Sequence, residues 1–229
     1  MGKKRTRQDK VNDRQEQQRQ PFQARTESQK QMIRSIFDNT ITLAHGIAGS
    51  GKTLTALYVA LCLMKSHEVS EIFYLRSNPK TDNYKDIGSY PGERNEKFAP
   101  LLIPVESNLK KLVPVNHVEY YMKKITPLFV EEVRGADFND CIVIADEVQN
   151  CSPDTVKTIL TRINKDSKAV LLGDTGQRDS NRFDDGLLDA IWRLKGINGI
   201  GCIEFGEEDC LRNPLIRDIL KAYISFPPS

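Results

Sequence analysis

The chain has 229 residues, of which 39% are hydrophobic and 28% are charged, and its net charge is +2. This length suits one domain, or one domain with extensions, and can bury a substantial core. No apolar run approaches the roughly 18–20 residues that a membrane-spanning helix needs, so the composition argues against a membrane protein.

Cysteine usage bears on the cellular compartment. The cysteines are odd in number, scattered, and without the C-x-x-C spacing of redox or metal sites. We therefore expect reduced thiols and a cytoplasmic protein. The basic, polar N-terminus lacks an apolar stretch, so we expect no secretory signal there. The five cysteines are Cys62, Cys141, Cys151, Cys202 and Cys210.

The N-terminal segment is strongly basic. Residues 1–25 contain eight Lys and Arg against three Asp and Glu, so the remainder of the chain carries a net charge of −3. A basic arm on an acidic body suggests contact with nucleic acid; a solubilising disordered tail is the alternative. The segment is rich in Gln and nearly free of apolar residues, so it should not fold alone. We predict a disordered arm over 1–25 and a single domain over 26–229, with order beginning near Phe22.

The first predicted elements are a helix, a strand and a second helix. Thr26 can cap a helix whose apolar residues recur at helical spacing. Residues 41–45 form a short β-prone run, and residues 54–65 are apolar and helix-prone without Gly or Pro.

Between this strand and the second helix lies the motif G-x-x-x-x-G-K-[ST], a phosphate-binding P-loop. Its glycines permit backbone conformations that a Cβ would obstruct, so that loop N–H groups can converge on phosphate oxygens at a helix N-terminus. Lys52 can reach the β- and γ-phosphates, and the Thr53 hydroxyl can ligate Mg²⁺. The predicted nucleotide-binding residues of this segment are Gly46, Ile47, Ala48, Gly49, Ser50, Gly51, Lys52, Thr53 and Leu54.

A second strand is predicted over 71–76, followed by a loop over 77–92 that is rich in Gly, Pro and Asn. A loop this long inside a compact domain is usually functional. We expect the helical segment that follows to be broken at Pro100, Pro104 and Pro114, and a strand over 128–133.

Two acidic residues follow the next strand. Residues 141–145 are continuously apolar, which indicates a strand buried on both faces as in a parallel sheet. A carboxylate at the end of such a strand is costly unless it meets a cation. We predict that Asp146 holds Mg²⁺ together with Thr53, and that Glu147 is the general base for water. A helix-capping pair is the alternative.

A polar segment, Gly173 to Gln177, follows another buried strand over 169–172. Its place at the carboxyl edge of the sheet is where ligands of α/β proteins bind. The Gln177 amide can donate and accept, so it is a candidate sensor of the γ-phosphate and the attacking water; a polar turn is the alternative. With further helices over 154–163, 185–195 and 207–224 and a strand over 200–205, the pattern predicts a doubly wound α/β fold with a mostly parallel sheet.

Two segments resemble guanine-nucleotide motifs without matching them. Residues 174–177 are one residue short of D-x-x-G-Q, and residues 164–167 place Ser167 where N-K-x-D requires Asp. Guanine specificity is therefore not expected.

In combination, the motifs resemble those of the PhoH-like ATPases, which are similar to the first RecA-like domain of superfamily-one helicases. The resemblance runs from about Thr26 to Tyr223. It implies a RecA-like P-loop fold with helices on both faces of the sheet, and it implies ATP and Mg²⁺ as ligands. It also implies that Gln29 reads adenine; for Gln29 the alternative is an exposed helix residue. The motifs are the P-loop, D-E-V-Q-N at 146–150, L-T-R at 160–162, G-D-x-x-Q at 173–177, Y-P-G-E at 90–93, V-R-G at 133–135 and R-N-P-L at 212–215.

The resemblance also implies a hexameric ring. A helicase completes its ATP site with arginines from a second lobe, whereas this chain has one lobe. An arginine finger contributes on the order of 10³–10⁵ in rate, so we expect a neighbouring copy to supply one. The candidates are Arg134 and Arg162 in trans and Arg212 in cis or trans; a salt bridge or surface charge is the alternative for each.

Three functional hypotheses follow. The helicase-like motifs and the basic arm favour a motor or remodeller that acts on single-stranded RNA, and less so on DNA. The acidic body, with few obvious base-stacking aromatic residues, favours a nucleotide-gated switch or scaffold for a protein partner. Tyr84, Tyr90 and Phe98 are possible platforms, although aromatic residues at such spacings are more often packing residues. A small-molecule kinase is the third hypothesis, and Glu147 beside Asp146 argues against it.

Overall fold

The computed structural model describes residues 22–77, 94–174 and 185–211. Within these ranges strands and helices alternate along the chain. The strands are β1 (Ile41–Gly46), β2 (Glu71–Arg76), β3 (Ile125–Phe129), β4 (Cys141–Asp146), β5 (Lys168–Gly173) and β6 (Ile200–Phe205). The helices are α1 (Glu27–Asp38), α2 (Lys52–Lys65), α3 (Arg94–Leu112), α4 (Val115–Met122), α5 (Pro153–Leu160) and α6 (Gly186–Leu194). Short 3-10 helices are Val130–Gly135, Val148–Asn150 and Glu207–Asp209.

The strands form one parallel sheet in the order β3-β2-β4-β5-β1-β6. In its register, Arg76 of β2 lies beside Asp146 of β4, and His45 of β1 lies beside Gly173 of β5. Parallel strands bring their carboxyl ends to the same edge of the sheet. The P-loop, Asp146 and Asp174 therefore lie at one edge, and the predicted parallel α/β fold is confirmed.

Helices cover both faces of the sheet. The first apolar layer lies between the sheet and α1 to α4, and the second lies between the sheet and α5 and α6. Strand β4 contributes Ile142 and Ile144 to the first layer, and Val143 and Ala145 to the second. All four residues are fully buried, which confirms that continuous apolarity marked a strand covered on both faces.

The N-terminal end of the described part packs onto the domain. The Thr26 hydroxyl accepts a hydrogen bond from the Gln29 N–H at 3.3 Å and caps α1 as predicted. Just before it, the Phe22 ring contacts the Tyr58 ring of α2, with centroids 4.4 Å apart. The packed unit therefore includes residue 22.

The expected break of the third helix at its prolines is wrong for two of them. Helix α3 runs through Pro100 and Pro104 and ends at Leu112, and of the three prolines only Pro114 lies at a break, just before α4. Each internal proline removes one backbone hydrogen bond. Helix α3 nevertheless buries a stripe of side chains at helical spacing, and this packing outweighs the lost bonds. The stripe consists of Phe98, Leu101, Val105 and Leu109.

The predicted strand over 128–133 is also wrong in its bounds. Strand β3 begins at Ile125 and ends at Phe129, and a 3-10 helix, Val130–Gly135, follows it. The Glu132 carboxylate accepts from the Phe129 N–H at 3.1 Å and caps this turn. Pro127 is tolerated because β3 is an edge strand, where no second neighbour needs its missing N–H.

Several predictions fall outside the described residues. They concern the basic arm up to residue 21, residues 78–93 of the long loop, Gln177, and the final helix beyond Leu211. At the start of that helix the chain forms the 3-10 turn Glu207–Asp209. All five cysteines lie in the described ranges, and no disulfide joins any two of them. No helix in the described ranges is long and apolar enough to cross a membrane.

Ser167, the residue that breaks the N-K-x-D pattern, has a structural role. Its hydroxyl is buried and accepts from the Cys141 N–H at 3.1 Å, which secures the start of β4. Replacement by Ala would leave this buried N–H without that acceptor, at a cost of about 1–3 kcal/mol.

We therefore expect Ser167→Ala to lower the free energy of unfolding by this amount in urea denaturation. Ser70→Ala is the matched control, because the Ser70 hydroxyl donates to the Asp140 carbonyl on the exposed surface. Equal, small losses in both variants would contradict the assignment.

Candidate functional site

The P-loop turns sharply between β1 and α2. Gly46 has φ +122° and Gly51 has φ +82°, conformations that L side chains rarely adopt. A Cβ at Gly46 would also collide with the Phe205 backbone, and the Ile47 N–H donates to the Phe205 carbonyl at 3.2 Å. Strand β6 therefore fixes the position of the loop.

Lys52 folds back into the hollow of the loop. Its Nζ donates to the carbonyl oxygens of Gly46 and Ile47, both at 2.8 Å. Burial lowers the pKa of Lys52, while the negative charges of Asp174 and Asp146 oppose that shift. The ammonium group is thus aimed where the P-loop motif requires a cation for phosphate.

Gln29 is buried, with 1% of its surface exposed, so it is not an exposed helix residue. Its Nε2 donates to the Ser50 carbonyl at 2.8 Å, and its Oε1 accepts from the Arg25 N–H at 2.8 Å. A Cβ at Gly51 would lie 2.7 Å from this Nε2. The side chain joins α1 to the P-loop, and its reading of adenine stays a prediction.

Asp146 connects β4 to the P-loop helix. Its Oδ2 accepts from the Thr53 hydroxyl at 3.0 Å and from the Tyr74 hydroxyl at 2.8 Å, and its Oδ1 accepts from the Glu147 N–H at 3.0 Å. Burial raises the pKa of Asp146, and the Tyr74 hydrogen bond opposes the shift. A cation here would offset the cost of withdrawing the carboxylate from water.

Glu147 is held at both of its carboxylate oxygens. Oε1 lies 3.4 Å from Arg76 Nη2, and Oε2 accepts from Gln149 Nε2 at 2.7 Å. The backbone of Glu147 is left-handed, with φ +57°, which is uncommon for a residue with a side chain and occurs often at functional sites.

Gln149 extends this network to the end of β5. Its Oε1 accepts from the Asp174 N–H at 3.1 Å, and only 3% of the residue is exposed. A Cβ at Gly173 would lie 2.9 Å from that same oxygen. The glycine therefore makes room for the contact between the two strand ends. Gln177 lies outside the described residues, so its sensor role stays a prediction.

The P-loop from Ala48 onward, Asp146, Glu147 and Asp174 line a cleft of about 1040 Å³. Phe22 and Leu211 are among its other lining residues. Its donor set suits Mg²⁺, which typically takes one or two carboxylates and completes its shell with water and phosphate oxygens. Thr53 and Asp146 are the residues that would hold it.

Two of the three candidate arginines do not line this cleft. Arg134 and Arg162 are both exposed, and neither lines the cleft. The Arg162 carbonyl accepts from the Phe138 N–H, shortly before β4 begins, which places Arg162 at the opposite edge of the sheet. Arg134 follows the carboxyl end of β3. Arg212 lies outside the described residues.

The sequence-based search missed Tyr74, Arg76 and Gln149. Each contacts a predicted acidic residue, but its position depends on the pairing of β2 with β4 or on the turn after β4. The available signals were Arg76, a charged residue at the end of an apolar strand, and the place of Gln149 in the D-E-V-Q-N motif. Of the two interpretations of Phe98, a stacking platform or a packing residue, the structure supports packing: Phe98 is 3% exposed, and its ring centroid lies 5.0 Å from that of Phe129.

Among solved structures, the large terminase of a thermophilic bacteriophage aligns over 85% of this chain and 48% of its own, with 12% identity and a TM-score of 0.48. The SWI2/SNF2 ATPase core of Sulfolobus solfataricus, solved with double-stranded DNA, aligns over 81% and 45%, with 15% identity and a TM-score of 0.44. These likenesses concern the fold and carry no argument about function.

Sequence comparison identifies the family. The PhoH-like protein of Bacillus subtilis (strain 168) is 33% identical over 207 residues, which are 88% of this chain and 64% of the relative. Protein PhoH of Escherichia coli (strain K12) is 32% identical over 208 residues, 89% and 58% of the two chains. The chain thus matches less than two thirds of either relative. A family model described as PhoH-like protein matches residues 21–224, and this chain therefore belongs to the PhoH-like protein family.

Proposed function

We propose that this PhoH-like P-loop ATPase hydrolyses ATP with Mg²⁺ as a ring-forming motor or remodeller on single-stranded RNA, with DNA the less favoured substrate. The observation that carries the ATPase part of this proposal is the hydrogen bond between Thr53 and Asp146. It places the P-loop hydroxyl against the strand-end carboxylate, as metal-assisted phosphoryl transfer requires. Bound Mg²⁺ would neutralise charge on the phosphates.

The chain's own residues supply the remaining chemistry. Lys52 and the loop N–H groups bind the phosphates, and Lys52 exchanges the carbonyls of Gly46 and Ile47 for phosphate oxygens. Glu147 accepts a proton from water as the water oxygen bonds to the γ-phosphorus and the bond to the ADP oxygen breaks. Arg76 and Gln149, each in contact with one oxygen of Glu147, fix the direction in which this base points.

The proposal includes a ring in which neighbouring copies complete each ATP site. The positions of Arg134 and Arg162 outside the cleft disfavour a contribution of either to its own site, which supports supply by a neighbouring copy. Arg134 is the better placed of the two, because it follows the carboxyl end of an edge strand, whereas Arg162 lies at the amino edge.

A nucleotide-gated switch for a protein partner is the second candidate. Single-strand binding normally uses aromatic platforms, and the burial of Phe98 removes one of the three that the sequence suggested. This alternative uses the same ATP site, but ATP binding would control the contact with a protein partner instead of movement on nucleic acid.

Turnover in the presence of nucleic acid separates the two candidates. We expect ATP hydrolysis, measured on a sample of known oligomeric mass, to rise when single-stranded RNA is added, and less with single-stranded DNA. Unchanged turnover and undetectable binding with both would overturn the motor. ATP-dependent capture of a protein partner under those conditions would then favour the switch.

A second prediction concerns Glu147. Glu147→Gln retains an acceptor for the Gln149 amide but cannot take a proton, so phosphate release without any acceptor substrate should fall by about 10²-fold or more. Binding of a fluorescent ATP analogue should persist, whereas Lys52→Ala should weaken it.

Glu131→Gln, on the exposed surface, is the control. Near-normal hydrolysis by Glu147→Gln would refute the general base, and phosphate transfer only to an added acceptor would favour a kinase.

Mixed subunits test the shared site. Lys52→Ala and Arg134→Ala should each be nearly inactive alone, and a mixture should regain part of the ATPase because one copy supplies the P-loop and the other the arginine. Arg162→Ala and Arg212→Ala are tested in the same way, with Arg193→Ala, exposed and paired with Asp189, as the control. If no combination regains activity, the trans arginine is wrong.

A further inference from the structure

Tyr74 is a buried residue whose hydroxyl reaches the proposed metal site. It lies on β2 beside Ile144 of β4 and is fully buried in the first apolar layer. From there its hydroxyl extends to Asp146, two residues beyond Ile144 along β4, and donates to Oδ2 at 2.8 Å. The ring is thus part of the core, and the hydroxyl is part of the site.

The hydroxyl is one of three donors that hold the same carboxylate. Thr53 of α2 and Tyr74 of β2 both donate to Oδ2, while the Glu147 N–H donates to Oδ1. These donors lie on α2, on β2 and at the residue that follows β4. Because both oxygens accept hydrogen bonds, a partial rotation of the carboxylate about its Cβ–Cγ bond would weaken these contacts.

Packing alone does not explain a tyrosine here. Phe would fill the same part of the apolar layer, and a buried hydroxyl is costly unless it has a partner. Burial, followed by the negative charge of Asp146, strongly raises the pKa of Tyr74, so the phenol remains a donor. The carboxylate is therefore the feature that favours a hydroxyl at this position.

We propose that Tyr74 is a positioning residue that holds Asp146 in the orientation needed to bind the Mg²⁺–nucleotide complex. The proposal rests on the proposed function, because it assigns a support to the same site. It gives β2 a part in nucleotide binding that acts through Asp146, separate from the P-loop and from the general base.

The test is Tyr74→Phe, which removes one oxygen and keeps the ring. The affinity of a fluorescent ATP analogue is measured over a series of Mg²⁺ concentrations and in EDTA. A hydrogen bond to a charged group contributes enough to predict a roughly tenfold higher Mg²⁺ concentration at half-maximal binding. Affinity in EDTA should stay within about twofold of wild type, because the P-loop contacts remain. Saturating Mg²⁺ should restore kcat.

The matched control is Tyr120→Phe, because Tyr120 is 59% exposed and its loss of a hydroxyl should leave the Mg²⁺ dependence unchanged. Asp146→Asn provides a second comparison. If Tyr74 acts through Asp146, Tyr74→Phe should add no further shift in the Asp146→Asn background. Tyr74→Met serves the same purpose if the Phe variant unfolds, as judged by thermal denaturation.

Two results would overturn the proposal. One is an unchanged Mg²⁺ dependence in Tyr74→Phe, and the other is an equal loss of affinity in EDTA and in Mg²⁺, which would indicate a purely structural role. Failure of the proposed function is distinct, because wild-type protein would then show no Mg²⁺-dependent nucleotide binding at all.

Discussion

The hydrogen bond between Thr53 and Asp146 joins segments that follow or end two strands, β1 and β4, which are not neighbours in the sheet. The P-loop follows β1 and Asp146 ends β4, while β5 lies between these two strands. The contact exists because α2 leaves the P-loop across the edge of the sheet, where it meets the carboxylate. Any shift of register in β1, β5 or β4 would separate the two groups, so the packing of the whole sheet maintains the site.

The sequence predicted those features that depend on local pattern. The P-loop, five of the six strands and the acidic pair at the end of β4 each lie within a few consecutive residues, and they occupy the predicted positions in the fold. Tyr74 and Arg76 could not be predicted in their roles, because both act on residues about seventy positions away through the pairing of β2 with β4. Strand order is a property of the folded chain, and no local pattern in the sequence specified it.

Tertiary packing explains the wrong local predictions. Pro100 and Pro104 are helix breakers by intrinsic propensity, yet α3 continues through both because its buried stripe needs an unbroken helix. For Gln29, the alternative of an exposed helix residue is likewise excluded, because the folded chain buries it against Ser50. In both cases the favourable contacts formed by distant segments exceed a local cost of a few kcal/mol.

Gln149 has a directional consequence. The Asp174 backbone N–H can only donate, so it requires the oxygen of the Gln149 amide and thereby orients the NH₂ group toward Glu147. A rotated amide would place donor against donor at one end and acceptor against acceptor at the other. The polarity of a single peptide group after β5 thus determines that the side chain at 147 must be an acceptor. A glutamate at position 149 would lose this selectivity, because two carboxylates would then face each other.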